Sequence, residues 1–411
     1  MDRALRSHAN AIVSAAIQAV LPDEAVIRAL NEKNFPGKVI LVAAGKAAWQ
    51  MANAAYGCLG DRIQSGIVIT KYDHVKGPIG KILCWEAGHP VPDENSFIGT
   101  QKALDLTEGL TELDTVLFLL SGGASALFEK PLIPGEELQD ITGQLLACGA
   151  DITEINTIRK RLSAVKGGRF AQHCAPARVF SIVLSDILGD PLDMIASGPT
   201  YPDSSTCRQA QNIAAKYNLK LSQQAQNLLL RETPKVLNNV TAKVTGSVRE
   251  LCAAAAKACR KLGYEPILLT DQLCCQAKEA GSFLASILKT HAGQNRSLAF
   301  IAGGETVVQL TGTGLGGRNQ ELALSAAIGI EGISGAAVFS IGSDGTDGPT
   351  DAAGGYTDYE TAATLQEKGC SIYESLQNND AYHALEKADG LIITGPTGTN
   401  VNDVAVALLK N

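Results

Sequence analysis

KVILVAAGKAAWQMA (38–52) reads as a strand feeding a helix: six apolar residues without a break after Lys38, then Gly45-Lys46, then helix-forming alanines. An almost continuous apolar run is the mark of a strand buried on both faces of a parallel sheet, and the glycine marks the turn at its carboxyl end. The same grammar recurs in VLFLLSGGASALF (116–128), SIVLSDILGDPLDMIASGP (181–199), FIAGGETVVQL (300–310), VFSIGSDGTDGP (339–349) and LIITGPTGTNVND (391–403). In open α/β sheets ligands bind beyond the carboxyl ends of the strands, so these turns are where a site is expected. The pattern predicts an enzyme acting on small phosphorylated or anionic molecules.

With 411 residues, 45% of them hydrophobic and 19% charged, the chain is long enough for two or three domains with full cores. The formal net charge of −7 argues against nucleic acid or a membrane surface as partner, and any anion site must be made locally. Ten cysteines show no CxxC pair and no zinc-type spacing, which predicts reduced thiols in a cytoplasmic protein. The opening stretch, MDRALRSHANAIVSAAIQAVLP (1–22), predicts an amphipathic first helix.

Strands are expected at KVILVAA, GIVIT, KILCW, TVLFLL and RVFSIVLS, with helices near 97–109, 135–149, 156–175 and 205–230. The polar, proline-bearing stretch 231–248 reads as a boundary, giving a doubly wound, Rossmann-like domain over 1–236 and a second α/β domain over 237–411. In the second, EPILLT, SLAFIAGG, TVVQL, GAAVFSIG and GLIIT are expected strands, and helices are expected near 275–291, 318–330, 360–366 and 400–409.

Several turns carry chemistry. Gly45-Lys46 places an ammonium where a strand meets a helix, a setting for an anion, although Ile40 and Ala47 exclude a Walker A loop. Ser121-Gly122-Gly123-Ala124-Ser125 reads as an anion cradle of two hydroxyls and accessible backbone, or as a plain tight turn; Leu127 breaks the G-x-S-x-G pattern of a serine hydrolase. Arg159, Ser163 and Lys166 fall at i, i+4, i+7, one basic face if a helix runs through them. Asp186 and Asp190, with Asp193 behind them, suit a hydrated Mg²⁺, and SDGTDGPTD (343–351) is either a second such cluster or a turn capped by aspartates. GTGLGG (312–317) matches G-x-G-x-x-G, but the acidic residue at the end of the next strand, Asp344, comes too late for a dinucleotide fingerprint. The loop leads directly into Arg318 and Asn319.

VAAGKAAWQMA, GHPVPDENS (88–96), LLSGGASALFEKP, INTIRKRLSAVKGGRFA, LSDILGDPLDMIASGPT, GGETVVQLTGTGLGGRNQE, SDGTDGPTDAAGG and TGPTGTNVND stand in this order along the chain. Together they resemble the class II glycerate kinases, the glycerate 2-kinase family whose carboxyl-terminal part is the MOFRL domain. The resemblance implies ATP-dependent phosphorylation of D-glycerate, usually to 2-phosphoglycerate, with a divalent cation, on two α/β domains flanking a cleft. Carried over by position, it makes Lys46 and Arg318 the principal cations of the site. Around them the reading of the turns assigns Gly45, Ser121, Gly122, Gly123, Ser125, Arg159, Lys166, Gly314, Gly316, Gly317 and Asn319 as anion-binding residues, and Asp186 and Asp190 near Mg²⁺. No general base is assigned. The partners expected are ATP and D-glycerate, with no nucleic acid or membrane, and a homo-oligomer is compatible with the sequence. The alternatives are an NAD(P)H-dependent hydroxypyruvate reductase, a label some members carry, and a non-catalytic regulator that binds a nucleotide or hydroxy acid. An Arg318 with no partner in the empty site, on a glycine loop free to move, is a further expectation.

Overall fold

The computed structural model describes residues 1–31 and 33–411. They form two compact units, one of Ala25–Ser185 and Asp190–Thr245, the other of Met1–Glu24, Asp186–Gly189 and Gly246–Asn411. Each unit is an α/β fold built on one six-stranded sheet.

In the first unit the strands are β1 (Val39–Ala44), β2 (Ile63–Lys71), β3 (Ile82–Ala87), β4 (Thr115–Leu120), β5 (Arg178–Leu184) and β6 (Val240–Gly246). Their order is β3-β2-β1-β4-β5-β6, the Rossmann order, and β1 to β5 pair in parallel. Every residue of β1 and β4 is buried, as their unbroken apolar runs require. On one face Leu41, Ala43, Leu117 and Leu119 pack with Val26, Met51 and Ala55 of the flanking helices Pro22–Leu30 and Ala48–Leu59. This sheet puts the ends of β1 and β4 side by side, in register from Val39 and Thr115 to Ala44 and Leu120.

The second unit contains β7 (Glu265–Leu273), β8 (Leu298–Gly304), β9 (Ala336–Gly342), β10 (Gly354–Asp358), β11 (Leu391–Ile392) and β12 (Asp403–Leu409), in the order β11-β10-β9-β12-β8-β7. Strand β12 lies between β8 and β9 and is antiparallel to both. Around 400–409 a helix was expected; the seven residues of β12 are instead all buried. A short apolar run does not reveal its period, and an open slot between two strands decides for the extended form.

Other expectations yield to tertiary context. The opening helix Arg3–Val20 buries Leu5, Ile12, Val13 and Ile17 in one core with Val248, Leu251 and Ala255 of the helix Val248–Lys261. It therefore belongs to the second unit, whereas the division at 236/237 placed it in the first. Part of the stretch read as a boundary is β6, whose alternating exposure hides the strand among polar residues. TVVQL is no strand: Val307 alone forms a bridge, with Gln276. The helix expected over 156–175 stops at Leu162, because Ser163 turns extended (ψ 142°) and pairs with Pro131, and it resumes only over Arg169–His173. Residues 205–230 likewise divide into Cys207–Lys216 and Gln223–Leu229. All ten cysteines are free thiols, and burial pushes those of Cys174, Cys252 and Cys259 up to about 12. No single helix among the described residues is long and apolar enough to cross a membrane.

Candidate functional site

In the Rossmann-like unit two turns are stitched together at the ends of β1 and β4. The Lys46 amide donates to the Gly122 carbonyl at 2.9 Å, and the Ala47 amide donates to Ser121 Oγ at 3.1 Å. Gly45 sits at φ +126°, and a Cβ there would lie 2.2 Å from Ser121 Oγ, so only glycine fits. Ser121 is buried and braces the helix start at Ala47, while the Lys46 side chain is exposed above its fixed backbone. Gly122 and Gly123 are half-buried, and Gly123 takes the left-handed conformation at φ +85°. A Cβ on Gly123 would fall 3.0 Å from His89 Nε2 and 3.3 Å from Lys46 Cε, so the glycine leaves room where two side chains converge.

The basic segment reaches this turn in another way than a shared helix face. Arg159 Nη2 and Lys166 Nζ both donate to the Ser125 carbonyl, at 3.1 and 2.8 Å. Lys166 also donates to the Phe128 carbonyl and pairs with Glu129 at 3.2 Å, with both side chains fully buried. Burial lowers its pKa to about 8 despite the opposing pull of Glu129. Lys166 therefore holds the loop from beneath and is not a cation presented to a ligand. Arg159 is only half-buried, and its Nε is a buried donor with no acceptor.

The second unit presents Arg318 beside a cavity of about 760 Å³ lined by Gly314, Gly316, Gly317, Arg318, Glu305 and Glu321. Arg318 donates through Nε and Nη2 to Asp403 Oδ2 and Oδ1, at 2.5 and 2.9 Å, and Glu305 lies 3.5 Å from Nη1. The expected unpaired guanidinium is thus a held one, and the hydrogen bonds it donates to Asp403 raise its pKa further. The expected mobile loop is tied as well. The amides of Thr311 and Gly312 donate to Asn379 Oδ1, that of Thr313 to Asn378 Oδ1, that of Gly314 to the Asn378 carbonyl and that of Leu315 to Asp380 Oδ1. A Cβ on Gly312 or Gly314 would enter this same turn, which accounts for those glycines by packing.

Asn319 is a structural residue. It is buried, donates its amide and Nδ2 to Asp347 Oδ1 and accepts from Ser340 Oγ. Asp347 also accepts from the Gln320 amide, so its carboxylate occupies the start of the helix Arg318–Ile330. SDGTDGPTD is accordingly a capping turn, with Asp344 Oδ1 accepting from the Thr346 amide. Burial pushes the Asp347 carboxyl up to about 6.

Asp186 and Asp190 fall in different units. The Asp186 carbonyl accepts from Asn402 Nδ2, and Asp190 has a buried Oδ1 with no hydrogen-bond partner. Among the described residues no three histidines, cysteines or carboxylates cluster as a metal cage.

Family models match both parts of the chain: "Domain of unknown function (DUF4147)" over residues 8–230 and "MOFRL family" over 298–403. The chain is 53% identical over 411 residues to the D-glycerate 2-kinase of Thermotoga maritima, covering 98% of each. A crystal structure of glycerate kinase from that organism superposes with a TM-score of 0.96 at 52% identity, covering 100% of both chains. The chain belongs to the MOFRL glycerate 2-kinase family. The glycerate 2-kinase of Pyrococcus horikoshii is 38% identical over 97% of this chain and 96% of its own. A relative from Agrobacterium vitis, 36% identical over 99% of this chain and 95% of its own, is provisionally named a hydroxypyruvate reductase.

Within this glycerate 2-kinase framework, sequence reasoning missed three residues. Asp403 and Glu305 flank Arg318, and His89 sits over Gly123 beside Lys46. His89 was visible only as a letter in GHPVPDENS; its place depends on the loop after β3 reaching the turn after β4.

Proposed function

We propose that this kinase transfers the terminal phosphoryl group of ATP to D-glycerate, giving 2-phosphoglycerate, in the cytoplasm. The observation that carries the reading is Lys46: its backbone is pinned to the Gly122 carbonyl while its ammonium stands free over the glycine turn. Phosphoryl transfer asks mainly for positioning and for charge placed in advance, and a fixed stem with an exposed cation offers both. Arg318, oriented by Asp403, is the second cation, for the transferring phosphoryl group or the glycerate carboxylate. Gly122, Gly123 and Ser125 contribute the anion-binding turn, and Arg159 supports it through the Ser125 carbonyl. The names of the Thermotoga and Pyrococcus relatives support glycerate as acceptor.

Mg²⁺ is the fitting counter-ion for the polyphosphate, since it keeps its waters and needs only one or two carboxylates. The orphaned Asp190 Oδ1 suits a hard cation. When bound, the ion supplies charge neutralisation on the phosphate oxygens.

The reductase alternative, a label some relatives carry, gains nothing from the G-x-G-x-x-G loop, because the amides of residues 311 to 315 are already engaged by the 378–380 turn. ³¹P and ¹³C NMR of the product from D-glycerate tests the reading. Coupling of phosphorus to C2 is expected; a phosphate on C3 would contradict the assignment of product, and no phosphorylated product would contradict the activity.

A further inference from the structure

The glycine turn of the Rossmann-like unit carries a cation, Lys46, and phosphoryl transfer to an alcohol also asks for a group to receive the proton of the attacking hydroxyl. Glu129 is sealed from solvent against Lys166, and Asp403 is committed to Arg318. Asp347 is taken up by the helix start.

His89 is the exception. It lies in the loop that follows β3, half-buried, and its ring has no hydrogen-bond partner among the described residues. The ring edge reaches the place a side chain on Gly123 would fill: a Cβ there would be 2.9 Å from Cδ2 and 3.0 Å from Nε2 of His89, and 3.3 Å from Cε of Lys46. Nε2 and the Lys46 stem thus border one small space over the glycine turn. A half-buried ring without a protein partner leaves its nitrogens open to solvent or to a ligand. This one turns Nε2 toward the turn and the cation on which the kinase reading rests.

We propose that His89 is the general base of the reaction, accepting the proton of the glycerate hydroxyl at Nε2. The inference rests on that kinase reading. As the hydroxyl oxygen forms its bond to the terminal phosphorus, the O–H proton passes to Nε2. The bond from that phosphorus to the bridging oxygen breaks, and its electron pair leaves with the nucleoside diphosphate. The imidazolium then returns its proton to solvent.

The surroundings keep the ring in the form a base requires. Partial burial lowers its pKa first, and the positive charges of Lys46 from the turn after β1 and of Lys71 at the end of β2 lower it further. Both effects favour the neutral ring, and the same cations assist release of the proton afterwards. Gly123 permits the approach, because any larger residue would take the space between the ring and the lysine.

The test uses the full-length enzyme and the variants His89→Asn and His89→Gln, which keep a polar side chain without a basic nitrogen. D-glycerate-dependent ADP release is measured from pH 5 to 8, with melting temperatures alongside. The expected result is a fall in kcat of about 10²-fold at pH 7.5 with KM for D-glycerate changed by less than about threefold, within the range for general bases. The acid limb of the wild-type kcat profile, with its midpoint below the ordinary histidine value, should vanish in both variants. A kcat within about threefold of wild type in either folded variant, an acid limb that persists, or a raised KM at unchanged kcat would overturn the role. If wild type itself releases no ADP with D-glycerate, the kinase reading fails and this role with it. A competent wild type beside equally competent variants removes the role alone.

Discussion

Arg318 and Asp403 meet fork to carboxylate, Nε to Oδ2 at 2.5 Å and Nη2 to Oδ1 at 2.9 Å, which fixes the plane of the guanidinium and leaves Nη1 on the side of Glu305. Asp403 opens β12, so the orientation of the cation is set by the strand inserted between β8 and β9. Two parallel bonds to a planar group specify direction as well as charge.

Lysine at 318 keeps the charge and loses that fork. Arg318→Lys is expected to lower kcat by about 10²-fold while the affinity for ATP, read by equilibrium binding, changes little. Equal losses in ATP affinity and kcat would contradict an Arg318 that acts in the transfer step.

Lys46 engages its neighbours through its backbone, and its exposed side chain has little to contribute to folding. Lys46→Ala should therefore reduce kcat by about 10²-fold or more, ~3 kcal/mol of lost charge stabilisation, at an unchanged melting temperature. A normal kcat with a lowered melting temperature would assign the residue to the fold.

Gly45→Ala should act in the opposite sense, through stability. Its Cβ would lie 2.2 Å from Ser121 Oγ and 2.5 Å from the Ser121 carbonyl oxygen, at φ +126°. A loss of about 2 kcal/mol or more is expected in chemical denaturation. Removing the hydroxyl with Ser121→Ala should not rescue it, because the backbone clash remains; full rescue would refute the steric account.

Burial holds the Asp347 carboxyl at about 6, above its ordinary value, so the native state binds more protons than the unfolded chain between roughly pH 4 and 6. Stability from this group is present at low pH and falls as pH rises through that window. Asp347→Asn cannot titrate: its melting temperature should drop through the lost caps to Asn319 and Gln320, and this pH slope should flatten. An unchanged slope between pH 4 and 6 would contradict the assignment.

The Rossmann-like sheet was legible because β1 and β4 are buried along their whole length, β5 is buried beyond Arg178, and their sequences are mostly apolar. The exposed edge strand β6 carried no such run and passed for a linker. The setting of Lys46 was legible because it is local, a glycine turn between a strand and a helix. Lys166 could not be read correctly: its charge is visible in the sequence, but the burial of its partner Glu129 is a property of the packed fold. Asn319 misled for the same reason, since Asp347 occupies the helix start only once the turn after β9 is in place. Asp403 lies far along the chain from Arg318 and only the pairing of β12 brings them together.

The most direct measurement is ADP release by the purified chain with ATP, Mg²⁺ and D-glycerate, set beside NADH oxidation with hydroxypyruvate. Glycerate phosphorylation predicts ADP that appears only when D-glycerate and the divalent cation are both present, with no comparable NADH oxidation. Rapid NADH oxidation by hydroxypyruvate without glycerate-dependent ADP release would contradict it.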